Sequence, residues 1–75
     1  MLERPVFQVV PAEDGVWKVL RDGRSRPHFE SPDKMSAIRV AKRLAKTHRC
    51  AEVLIRNQDG IVETKQFYAQ ETRNI

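Results

Sequence analysis

Cysteine is almost absent: Cys50 stands alone in a chain of 75 residues. No intrachain disulfide can staple the fold, and a reducing compartment, the cytoplasm, is the expected location. Glycine is also scarce. There are three, each behind an aspartate, at Asp14-Gly15, Asp22-Gly23 and Asp59-Gly60. None belongs to a cluster that would cradle a phosphate. No run approaches the roughly 20 apolar residues needed to cross a bilayer, and Glu3, Arg4 and Pro5 stand where a signal peptide would be apolar. No membrane partner is expected. Beyond Cys50, the soft metal ligands apart from methionine are His28 and His48. A single His-x-Cys step lacks the three or four ligands that zinc requires, so neither metal nor cofactor is expected.

Apolar residues make up 40% of the chain and charged residues 32%, spread throughout, which is a globular rather than a disordered composition. The length allows one domain, 1–75, with 69–75 a polar, fraying tail. The three Asp-Gly pairs mark tight turns, because aspartate bonds its own backbone and glycine takes positive φ freely. Val6–Val10 and Val16–Leu20 flank the first pair and read as a hairpin, rich in β-branched and aromatic residues. A short third strand ends at His28-Phe29-Glu30; Pro27 within it lacks a donor and makes it short or an edge. Ser31 is the expected helix N-cap, Pro32 the first helical residue and Asp33 a first-turn acid. From there to about His48 the period is helical, with Ala37, Ile38, Val40, Ala41, Leu44, Ala45 and His48 on one side. A last hairpin runs Glu52–Arg56 and Ile61–Tyr68. Its turn is either the four residues Asn57–Gly60, with a glycine bulge, or Asp59-Gly60 alone, and the register stays open between them.

The fold class is therefore α+β: an antiparallel sheet in β-β-β-α-β-β order with one helix packed on one face. Five strands span about 24 Å, and one helix covers about 10 Å. Either the sheet curls tightly or a second chain covers the rest; a homodimer is expected.

Val10-Pro11, Asp14-Gly15, Trp17, Val19 and Gly23 are followed by Phe29-Glu30-Ser31. Ala37-Ile38, Ala41 and Ala45 come next, then Asp59-Gly60-Ile61 and Tyr68. In this order and spacing the chain resembles the bacterial domain of unknown function family 2188 over nearly its whole length. The resemblance implies a small bacterial protein of this fold and brings no catalytic residue with it. Cys50 departs from the pattern, which has a glycine where the helix ends, so a different helix ending is expected here.

The net charge of +4 suits an acidic partner, nucleic acid or protein. Arg39, Lys42, Arg43, Lys46 and Arg49 fall in one arc opposite the apolar side of the helix, with no acidic residue between Lys34 and Arg49. Such a stripe can follow a phosphate backbone, or simply be the solvated side of an amphipathic helix. Arg21, Arg24 and Arg26, with His28, form a second cluster around Asp22-Gly23. Whether the two clusters share an edge of the domain is not encoded in local pattern. Trp17 reads as core. The carboxylates of Glu13, Asp14, Asp22 and Asp59 are explained by turns, no Ser-His-Asp set can be argued, and so small a fold offers little pocket. No catalytic residue, small-molecule substrate or enzymatic activity is expected. Two roles follow. The leading one is a non-catalytic, self-associating interaction or regulatory module; the alternative is a nucleic-acid-binding module using the basic residues above.

Overall fold

The computed structural model describes residues 4–69. Its elements are β1 (Val6–Pro11), a single 3-10 turn (Glu13–Gly15), β2 (Trp17–Arg21), β3 (Phe29–Ser31), α1 (Lys34–Lys46), β4 (Cys50–Arg56) and β5 (Val62–Ala69). The tail expected to fray begins within β5 at Ala69; the rest of it lies outside the described residues.

The class is α+β with one helix on one face, but the sheet is mixed rather than antiparallel. In space the strands lie in the order β3-β2-β1-β4-β5, and β1 pairs with β4 in parallel. The connection explains the difference. Two hairpin turns reverse the chain at β2 and again at β3, so β3 runs with β1. Helix α1 then carries the chain back along the sheet, as a parallel crossover requires, and β4 starts from the same end as β1 and β3.

The turns take the shapes their residues favour. Asp14 (φ 64°) and Gly15 (φ 73°) both occupy the left-handed region, as the two central residues of a type I′ hairpin turn must. In the last hairpin the four-residue alternative is the one formed. The Gly60 amide donates to the Asn57 carbonyl at 2.9 Å, and the Asn57 amide donates to the Ile61 carbonyl at 2.8 Å. The Asn57 side-chain oxygen accepts from the amides of Asp59 (2.9 Å) and Ile61 (3.0 Å), fixing the register.

The helix begins later and ends earlier than its pattern predicts. Ser31 belongs to β3, and its hydroxyl accepts the Asp33 amide at 3.0 Å in a local turn that precedes the helix. Asp33 is the N-cap, and the Ser36 hydroxyl donates to its carboxylate at 2.8 Å. At the other end, the amides of Thr47 and His48 fold back to the carbonyls of Leu44 and Ala45, and the Thr47 hydroxyl donates to Leu44. These tighter i→i−3 bonds close α1 without a left-handed residue, as the cysteine at position 50 suggested; Cys50 itself opens β4.

One face of the sheet contributes Phe7, Val9, Trp17, Val19, Ala51, Val53 and Ile55 to the core, and the helix lays Ala37, Ala41 and Ala45 onto them. Three alanines spaced four apart let the helix backbone approach closely, while Ile38, Val40 and Leu44 close its flanks. Lys34 clamps the first turn: its ammonium lies 4.7 Å from the Trp17 ring centroid and is paired with Glu63 of β5. Among the described residues, no element packs on the opposite face of the sheet.

Candidate nucleic-acid interface

Strand direction decides which charges meet. At one end of the sheet lie the starts of β1, β3 and β4 and the ends of β2 and α1. The residues flanking those positions are Arg4, Arg21, Arg24 and Arg26, then Lys46 and Arg49. The other end gathers Glu13, Asp14, Asp33, Asp59 and Glu63 around its turns and the helix N-terminus, with Lys34 and Arg56 among them. The domain is thus polarised along its strands, in the opposite sense to the helix dipole, which is negative at the basic end and positive at the acidic one, so the side-chain charges complement it. Asp33 illustrates the acidic end. The Ser36 hydroxyl above all holds its carboxyl below the usual carboxylate range; desolvation opposes it, and the amides of Met35 and Ser36 and the charge of Arg39 add to the lowering.

At the basic end Phe7 is the meeting point. Its ring centroid lies 5.9 Å from that of His28 in an edge-to-face contact and 5.7 Å from that of His48, and the Arg21 guanidinium sits 5.9 Å over it. One buried side chain therefore joins the β2–β3 loop to the segment after the helix. The two basic clusters share an edge of the domain.

Arg39, Lys42, Arg43 and Lys46 line one shallow depression along the outer side of α1. Arg49 is exposed beyond the helix end, three residues past Lys46. Arg24 and Arg26 line a second depression with His28, and Arg21 and Arg24 line a third with Arg4 and Asp22. Arg4 was not singled out by sequence pattern, nor was His48 as part of a basic surface. Both reach this end because β1 and β4 run in parallel, Val6 lying beside Glu52. Only a parallel pairing of the two strands could have pointed to them. Asp22 is the acid within the surface, and it is already engaged: the Gln8 side-chain amide donates to it at 2.6 Å.

A family model described as an uncharacterized protein conserved in bacteria, domain of unknown function 2188, matches residues 7–68, from within β1 to within β5. The chain belongs to that family. In this member of family 2188 the matched span includes both basic clusters except Arg4, together with the Phe7 contact that unites them. No curated protein and no solved structure matches the chain.

Among the described residues, no three His, Cys, Asp or Glu side chains gather as a metal site would need, and no helix is long and apolar enough to cross a membrane. The depressions are open and lined mostly by charged side chains. What such a surface can do chemically is attract and track a polyanion.

Proposed function

We propose that this protein is a non-catalytic module that binds the phosphate backbone of nucleic acid in the cytoplasm. The observation that supports this most is the contact of Phe7 with Arg21, His28 and His48. It makes one surface of the helix stripe (Arg39, Lys42, Arg43, Lys46), Arg49 and the loop arginines (Arg24, Arg26). A stripe on a helix alone is what any amphipathic helix displays. A stripe that continues around the end of the domain into a second, independent cluster spans more than one phosphate step. Among the described residues the exposed rings at this end are His28 and Phe67, and the Arg4 guanidinium already lies 5.4 Å over Phe67, so charge rather than a paired stacking platform dominates the contacts.

Fluorescence anisotropy of labelled duplex and single-stranded oligonucleotides across a salt series tests the reading. Non-specific affinity of the order of 10 µM is expected at moderate salt, falling steeply as salt rises. Lys42→Glu with Arg43→Glu, and separately Arg24→Glu with Arg26→Glu, should each weaken binding and flatten the salt slope by about one per lost phosphate contact. Equal loss from the two pairs supports a joined surface. Loss from the helix pair alone would reduce the interface to the helix, and no binding at low salt would retire the reading.

A further inference from the structure

The sheet face opposite the helix presents a half-buried pattern of its own. Cross-strand register places Lys18 beside Val10, Leu20 beside Gln8 and beside that Leu54, and Val6 beside Glu52. Farther out, Glu52 neighbours Phe67, and Arg56 neighbours Val62. Asp22 and Arg56 belong to the same face, because Gln8 bonds both: it donates to Asp22, and the Arg56 Nε donates to it at 3.0 Å while Nη1 donates to the Gly60 carbonyl at 2.7 Å. Val6, Val10, Leu20 and Leu54 surround Gln8 at the middle of the face, and Phe67 and Val62 remain 53% and 40% exposed at its rim. Its charges are arranged by end. On the three inner strands Lys18 and Arg56 lie toward the acidic end of the domain, Asp22 and Glu52 toward the basic end; Glu30 on the edge strand β3 sits beside Lys18.

We infer that this face is covered by a second copy of the chain, related by a twofold axis that runs across the strands through Leu20, Gln8 and Leu54. Charge complementarity singles out this axis. Rotation about it turns the partner end for end, so Lys18 meets Asp22 of the partner subunit and Arg56 meets Glu52 of the partner subunit, each twice. Val10 falls on the partner's Val6, Val62 on the partner's Phe67, and Leu20 and Leu54 on their own copies. An axis along the strands would instead set Lys18 against the partner's Arg56 and Asp22 against the partner's Glu52, which is repulsive at both pairs. Lys65 beside Leu54 meets its own copy on the favoured axis, a like-charge contact. It lies on the outermost strand, where a long stem lets the ammonium turn into water. Two sheets stacked about 10 Å apart in this way give an α-β-β-α sandwich with both helices outward. The footprint, about 24 Å by 16 Å or roughly 400 Å² a side, is about half the standard size of a specific interface, so the dimer is a weak one that dissociates on dilution.

Sedimentation equilibrium on the full chain from about 5 to 500 µM, without nucleic acid, tests this separately from any binding activity. Mass should rise from the 8.7 kDa monomer toward twice that value with concentration. Leu54→Glu should remain monomeric throughout with unchanged circular dichroism. Lys18→Glu alone and Asp22→Lys alone should each dimerise at least tenfold more weakly, while an equimolar mixture of the two restores the dimer, since each unlike pair recovers both contacts. A chain still monomeric at 500 µM overturns the proposal and leaves the face to a different protein. A dimer insensitive to Leu54→Glu, or one not restored by mixing, overturns it in favour of another surface or another axis.

Discussion

The two faces of the sheet are made from the same strands and end in different states. On the helix side every second residue, Phe7, Val9, Trp17, Val19, Ala51, Val53 and Ile55, is buried. On the other side their immediate neighbours, Val6, Gln8, Val10, Lys18, Leu20, Glu52 and Leu54, are half-exposed and alternate between apolar and polar. A sheet face is completed by what packs on it, so the first belongs to the fold and the second to the surface. The comparison teaches that apolar content alone does not locate a core. Leu54 is larger than Ala51 and Val53, yet it is they that are buried, because the helix lies on their side.

Adjacent residues break the comparison most sharply. Val53→Asp puts an unpaired charge under the helix and should cost about 5 kcal/mol, enough to unfold a domain of this size; Leu54→Asp should leave the unfolding free energy within about 0.5 kcal/mol of wild type in dilute solution. Chemical denaturation followed by tryptophan fluorescence measures both. A smaller contrast tests how tightly the helix is seated. Ala41→Leu should lose about 1–3 kcal/mol by pushing α1 off the sheet, whereas Arg43→Leu, on the outer side, should change stability by less than about 0.5 kcal/mol. If Ala41→Leu proved neutral, the close approach of the alanine ridge would be mistaken.

Smaller again is the polar link across the open face. Gln8→Ala removes the group that bonds Asp22 and Arg56 together and should cost about 1 kcal/mol, against about 2 kcal/mol for Val9→Ala one residue along. Thermal melts of the two variants give the order. The smallest effect is at Asp33, which belongs to neither face. Its folded-state pKa lies below the ordinary value of 3.8, so its contribution is complete above that value and is lost as pH falls below it, through the lower folded value. Asp33→Asn should therefore flatten the pH dependence of the melting temperature below about pH 4 and not above it.

These contrasts also mark what the sequence made legible. Turns and periods are local, and they were readable: Asp14-Gly15 carries its own left-handed requirement, and Ala37, Ala41 and Ala45 carry the helical period. Ser31 misled because serine forms a local side-chain turn as readily as a cap, and Asp33 two residues on took the cap instead. The pairing of β1 with β4 was not readable, since a strand's pattern records its faces and not its neighbour. The same omission hid the candidate site. Each basic cluster was visible, but their union at Phe7 depends on which end of the sheet each strand begins, as does the inclusion of Arg4 and His48.

The parallel seam between β1 and β4 also bears on how the chain reaches this structure. Each hairpin closes over a few residues, but Val6 meets Glu52 only after the helix and everything between have been folded across. Closing that long loop is entropically the most demanding step, so the seam sets the speed of folding and the hairpin turns do not. Val9→Ala should thus slow refolding in stopped-flow experiments, while Asn57→Ala should act chiefly by speeding unfolding; the reverse partition would mean that the last hairpin, rather than the middle of the sheet, is where folding begins.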